Sequence, residues 1–127
     1  MGEVLAEEKL KSPLVISSPA VRAHQTIDLL LESSGLSIEP RFDDRIYEAD
    51  VRTLLEVVQS IPASSDTAIM VGHNPGFENL LNYFTGESRH MPTCALAKIQ
   101  FDAASWSEVT EQSGRLELFV TPKDLDD

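Results

Sequence analysis

Cysteine is almost absent from this chain. Cys94 stands alone among 127 residues, so no intrachain disulfide can form. Cations are scarce as well. Ten Lys and Arg face 21 Asp and Glu, a formal charge of −11. Nucleic acids and anionic membranes are held by basic surface, so this balance argues against both as partners. A phosphorylated substrate stays open, because a few local cations and backbone N–H groups can hold one phosphoryl group on an acidic protein. No apolar run is long enough to span a bilayer. The first residues, MGEVLAEEKLK, lack the apolar stretch of a secretory signal. A cytoplasmic location is expected. Neither Gly-x-x-x-x-Gly-Lys nor Gly-x-Gly-x-x-Gly occurs, so no nucleotide cofactor is indicated. His24, His73 and His90 are widely spaced and no second cysteine joins them, so no metal site is indicated and no cofactor is expected.

What is present suits one globular domain over residues 1–127, with 42% hydrophobic and 24% charged residues. Short apolar runs alternate with helical patterns, which predicts an α/β layered fold. Residues 2–11 read as the end of a helix. Residues 14–17, LVIS, read as a buried strand between prolines. Ser18 then suits a helix cap and Pro19 its first turn, with the helix running through Ile27, Leu30 and Leu31 to Gly35. Ile38 to Phe42 is a weaker strand. Asp50 caps a helix whose core residues are Leu54, Leu55, Val58 and Ile61. Residues 68–72, AIMVG, form the clearest strand. Asn74 and Pro75 open another helix, with Phe77, Leu80, Leu81 and Phe84 buried and Gly86 at its end. Strands over about 95–101 and 115–121 predict a β-hairpin at a sheet edge. The last residues, KDLDD, read as frayed.

Two strand-to-helix junctions carry the chemistry. One is I-S-S-P-A-V-R-A-H-Q-T, residues 16–26. The other is V-G-H-N-P-G, residues 71–76. Ligands of open α/β sheets bind beyond the carboxyl ends of the strands. Each junction ends at a helix N-terminus, where unpaired N–H groups and a partial positive charge favour an anion. Arg22 offers a planar fork for phosphate. His73 sits at the strand tip, facing the same crevice. Alone, an Arg early in a helix is usually solvated and a lone His usually structural; together they point to one phosphoryl group.

The string S-S-P-x-x-R-A-x-Q-T, Ser17 to Thr26, resembles the second signature of the histidine phosphatase superfamily. V-G-H-N-P, Val71 to Pro75, resembles the third in the form typical of SixA-type phosphohistidine phosphatases, and P-T-C-A-L-A, residues 92–97, resembles their next strand. The resemblance covers nearly the whole chain. It implies a three-layer α/β/α sandwich with a mainly parallel sheet, phosphoglycerate mutase-like. It implies a phosphatase that takes phosphoryl groups from phosphohistidine on a protein through a covalent phosphohistidine. Arg22 and His73 would be catalytic and hold the phosphoryl oxygens, with Ser18 and Asn74 lining the same cradle. Glu48, in I-Y-E-A-D, is the candidate general acid, with a solvated loop carboxylate as its rival reading. The expected partner is a phosphorylated protein or a small phosphorylated molecule.

The superfamily's nucleophile lies in an Arg-His-Gly motif at the tip of its first strand, and this sequence contains none. The expected domain is therefore incomplete at its N-terminus, by a strand, a loop and part of a helix, on the order of 30 residues. Such a chain should be weakly active or inactive, and would leave two strands to be covered by rearranged pairing or self-association. His24 reads as a surface residue and His90 as a solvated loop residue. Cys94 fails the Cys-x5-Arg pattern of cysteine phosphatases, because Gln100 stands where the Arg is required. Two alternatives follow: a non-catalytic module that binds phosphate or phosphohistidine, and a small-molecule phosphomonoesterase of the same superfamily.

Overall fold

The computed structural model describes residues 13–35, 38–92 and 95–121. Three expectations lie outside those residues: the helix over 2–11, the setting of Cys94 and the fraying of the last residues. The described chain runs β1 (Leu14–Ser17), α1 (Val21–Ser34), β2 (Arg41–Phe42), a 3-10 turn (Asp44–Ile46), α2 (Val51–Gln59) and β3 (Ala68–Val71). It continues through α3 (Gly76–Thr85), β4 (Leu96–Phe101), a second 3-10 turn (Trp106–Glu108) and β5 (Gly114–Val120).

β1 is the middle strand of a parallel sheet of order β2-β1-β3. A strand covered on both faces must be apolar along its length, and alternate residues must serve opposite layers. Val15 and Ile69 pack with Ile27 of α1 on one face. Ile16 packs with Leu54, Val57 and Val58 of α2 and with Leu80 and Phe84 of α3 on the other, where Leu14 and Met70 also lie. The sheet is thus sandwiched between α1 and the α2–α3 pair, the three-layer α/β/α arrangement. No helix among the described residues is long and apolar enough to cross a membrane.

The helix ends show where local chemistry and packing agree. Asp50 caps α2 as expected: its Oδ1 accepts the Thr53 N–H at 2.9 Å. The α2 stripe differs slightly, because Val57 is buried and Leu55 only half-buried. Gly35 and Gly86 close α1 and α3 in the left-handed region, at φ 74 and φ 78. Ser18 does not cap α1. That helix begins at Val21 after Ala20, without a side-chain cap, so Ser18 lies two residues before the cap position, with its hydroxyl beside His73. The weak strand over 38–42 shortens to Arg41–Phe42, both exposed.

β4 and β5 pair antiparallel with a register shift between Lys98 and Ile99. They form their own two-stranded sheet, not an edge of the parallel one. Among the described residues β3 pairs only with β1, and β4 only with β5. The hairpin still joins the same core, since Ile99 and Phe101 pack with Phe84 and Trp106. The Trp106 indole N–H anchors it further by donating to the Ser65 carbonyl at 2.6 Å.

Candidate active site

β1 and β3 run parallel and in register, Ser17 beside Val71, so their carboxyl ends deliver Ser18 and His73 to one edge of the sheet. There the Ser18 N–H donates to the Val71 carbonyl at 2.9 Å. The Ser18 Oγ lies 2.8 Å from His73 Nε2. It also accepts the Ala20 N–H at 3.3 Å. Ser18 is fully buried while His73 is half-buried. Ser18 therefore sits behind the imidazole and fixes its orientation, instead of opening onto a ligand. When the imidazole is protonated, Nε2 donates to Oγ; when neutral with its proton on Nδ1, Nε2 accepts from the hydroxyl.

His73 opens onto a cleft of about 760 Å³ lined in part by Glu48, Asp50, Arg52, Asn74 and Asn79. A neighbouring hollow of about 550 Å³ shares Val51 and Asn79 but holds neither His73 nor Ser18. Two glycines shape the cleft by letting the Ile46–Asp50 segment approach the His73 loop. A Cβ on Gly72 would meet Phe77 Cε1 at 2.3 Å and Ile46 Cγ2 at 2.9 Å. A Cβ on Gly76 would meet the Ala49 carbonyl oxygen at 2.5 Å. The glycines around His73 are thus spacing devices for this wall.

The wall is built with care. Ile46, the last residue of the first 3-10 turn, is buried, and that turn is capped by Asp43, whose Oδ1 accepts the Arg45 N–H at 2.9 Å. Arg45 Nη2 also donates to Asp43 Oδ2 at 2.7 Å. The Arg45 guanidinium holds the Asp43 carboxyl below its usual range, against a smaller opposing effect of burial. Tyr47 follows, with its ring edge-on to His73 at 6.0 Å between centroids. Glu48 then takes φ 50, a left-handed conformation that a residue with a Cβ adopts at some cost. Strain of this kind clusters at functional sites. Asp50 is held below the usual carboxylate range by the Thr53 backbone N–H it accepts.

On the other side Asn74 is tied down. Its Oδ1 accepts the Glu78 N–H at 3.2 Å, and its Nδ2 donates to Glu78 Oε1 and to the Met91 carbonyl. Glu78 Oε1 also accepts the Met91 N–H at 2.9 Å and lies 2.8 Å from His90 Nδ1. The loop bearing His90 is thereby fastened to the first turn of α3, with the His90 ring itself exposed. Arg22 is exposed in the first turn of α1, four residues past Ser18 and at the same edge of the sheet. Among the described residues no carboxylate pairs with it. His24 is half-buried, stacked on Phe42 at 3.9 Å and 10°.

The sequence nominates Ser18, Arg22, Glu48, His73 and Asn74 for the site. The structure joins Ser18 directly to His73 and places Glu48 and Asn74 on the cleft wall. Arg22 shares the edge without a direct bond to His73. Tyr47, Gly72, Gly76 and Glu78 were missed. The glycines on either side of His73 were the available signal for two of them.

These layers and this junction define the phosphoglycerate mutase-like α/β fold in the form seen in SixA proteins. A protein histidine phosphatase SixA, solved with tungstate, superimposes with a TM-score of 0.82 at 19% identity, over 98% of this chain and 78% of that one. A Nakamurella multipartitia protein assigned as phosphohistidine phosphatase SixA gives 0.77 at 21% identity, over 95% of this chain and 79% of its own. One from Agrobacterium tumefaciens, assigned likewise, gives 0.76 at 24%, over 95% and 75%. An uncharacterized protein of Mycobacterium leprae (strain TN) is 27% identical over 119 residues, 86% of this chain and 71% of its own length. No family model matches the chain.

Proposed function

We propose that this chain carries the phosphoryl site of a phosphatase whose substrate is phosphohistidine on a protein. One observation carries the reading: the Ser18 Oγ to His73 Nε2 contact at 2.8 Å, which joins the two motif-bearing junctions at the carboxyl edge of a parallel sheet. A group bound there faces an imidazole held in fixed orientation and the N-terminal end of α1, a helix of 14 residues. Arg22 supplies a two-pronged donor for two phosphoryl oxygens. His73 donates to a third and stabilises charge as the phosphorus bond to the leaving group lengthens. Ser18 keeps the imidazole from turning. Asn74, bound to Glu78 and Met91, holds the loop more than it holds the ligand. Glu48, which lines the same cleft as His73, is the candidate to protonate a leaving oxygen; an imidazole leaving group needs that help less than an alkoxide does. The fold's likeness to SixA proteins, one of them solved with tungstate, supports an oxyanion as ligand.

This sequence contains no Arg-His-Gly. That favours a second reading for this chain taken alone: a module that binds phosphate or phosphohistidine without turning it over. Calorimetric titration with tungstate and with inorganic phosphate, on wild type and His73→Ala, tests the site common to both readings. Micromolar to millimolar binding by wild type, weakened at least tenfold in the variant, is expected. Equal binding by both removes His73 from the site and both readings with it. Dephosphorylation of a phosphohistidine protein, run beside a sugar phosphate, then separates them. Slow or absent turnover is expected of this chain. Rapid turnover would mean that the attacking group lies among its own residues, and preference for the sugar phosphate would favour a small-molecule phosphomonoesterase.

A further inference from the structure

Four large apolar or aromatic side chains are exposed among the described residues: Val21, Leu29, Phe42 and Tyr47. Three of them lie at or beyond the carboxyl ends of β1 and β2, the edge that bears Ser18 and His73: Phe42 ends β2, Val21 follows β1 and Tyr47 follows β2. Folding gains little from them there, since an exposed ring is not part of the core. Two are aromatic and each is held in place. Phe42 lies in register with Ser17, one residue before Ser18, and is pinned by stacking on His24 at 3.9 Å. Tyr47 is 53% exposed, yet its backbone is fixed between buried Ile46 and the left-handed Glu48, and its ring meets His73 at 82°. The turn carrying it is further braced by the Asp43–Arg45 pair and by the close approach of Gly72 to Ile46. Rigid aromatic surface beside an anion site is a device for recognising what the anion is attached to.

We propose that Tyr47, with the Phe42–His24 stack also at the carboxyl edge of the sheet, is a specificity platform for a planar ring bearing the phosphoryl group. The site would then select phosphoryl groups on aromatic or heteroaromatic rings, the imidazole of phosphohistidine among them, over those on alkyl chains. Tyr47 touches the ring and not the phosphorus. The inference rests on the phosphoryl-site reading above and deepens it.

Binding of phenylphosphonate and methylphosphonate, two non-hydrolysable probes that differ only in ring against methyl, tests the platform without any need for turnover. Inorganic phosphate serves as the reference. Wild type is expected to bind phenylphosphonate about tenfold more tightly than methylphosphonate, the scale of one aromatic pair. Tyr47→Ala should bring the two affinities to within about twofold through loss on the phenyl probe, while Tyr47→Phe keeps the preference. Phe42→Ala, which removes the second exposed aromatic ring at this edge, should lower the preference without abolishing it. Equal affinity for both probes in wild type, or an undiminished preference in both alanine variants, overturns the platform while leaving the phosphoryl site standing. Failure of wild type to bind phosphate and both phosphonates overturns the phosphoryl site and the platform together.

Discussion

Ser18 and His73 stand 55 residues apart in the chain and 2.8 Å apart in space. The parallel pairing of β1 with β3 makes this contact: register at Ser17 and Val71 brings Ser18, one residue on, within reach of His73, two residues on. The hydroxyl is fully buried, so its effect reaches a ligand only through the imidazole. Ser18→Ala should therefore weaken tungstate binding about three- to tenfold, less than His73→Ala does, and cost about 1 kcal/mol of stability from the lost hydrogen bonds. Isothermal titration and urea unfolding read the two effects. A stability loss with unchanged tungstate affinity would make Ser18 a purely structural residue.

Arg22 poses the opposite case. It is exposed and, among the described residues, has no carboxylate partner, so its removal should hardly disturb the fold. Arg22→Ala is expected to lower tungstate affinity by about ten- to a hundredfold with an unchanged urea midpoint, as befits loss of a charge-assisted pair. Arg22→Lys should recover only part of it, because a point charge does not replace a fork. Titration of the three proteins at one fixed salt concentration decides the matter. Wild-type affinity in Arg22→Ala would move the site away from the start of α1.

Much of this was legible before any coordinates. LVIS and AIMVG announced the two strands because continuous apolar runs suit strands covered on both faces. Asp50 announced the start of α2 through a local bond that needs no tertiary context. Ser18 misled as a cap for the same reason inverted: its hydroxyl has a better partner in a residue that only the fold brings near. The β2 segment shrank because Arg41 and Phe42 are both exposed and bury too little to extend the pairing. The nearness of Tyr47 to His73 was invisible in the sequence, since nothing in Ile-Tyr-Glu marks it. That approach depends on Gly72 and Gly76, whose role shows only when the opposing wall is seen.

Gly76 gives a sharp test of that wall. Its missing Cβ would lie 2.5 Å from the Ala49 carbonyl oxygen, a backbone atom that cannot swing aside as a side chain can. Gly76→Ala should cost about 1–3 kcal/mol, the usual range for forcing atoms into a packed site. It should also weaken phenylphosphonate more than inorganic phosphate, because the Tyr47–Glu48 turn is pushed from His73. Urea unfolding and the two titrations measure this. An unaltered unfolding midpoint would mean that the wall yields freely and that Gly76 is not its spacer.

Asp43 and Arg45 allow a prediction in pH. The guanidinium holds the Asp43 carboxyl below its ordinary value, so the charged form is favoured by folding. The sign follows: the pair stabilises the fold above the unfolded carboxylate value, near 4, and that contribution is lost as pH falls through the lower folded-state value. Both side chains are partly exposed, so screening keeps the whole effect under about 1 kcal/mol. The difference in urea midpoint between wild type and Asp43→Asn should be steady from pH 7 to 5 and shrink below pH 4. Because the turn carries Tyr47, phenylphosphonate preference at pH 7 should fall in the same variant. A midpoint difference that persists unchanged at pH 3 would assign the loss to the cap geometry and not to the charge on Asp43.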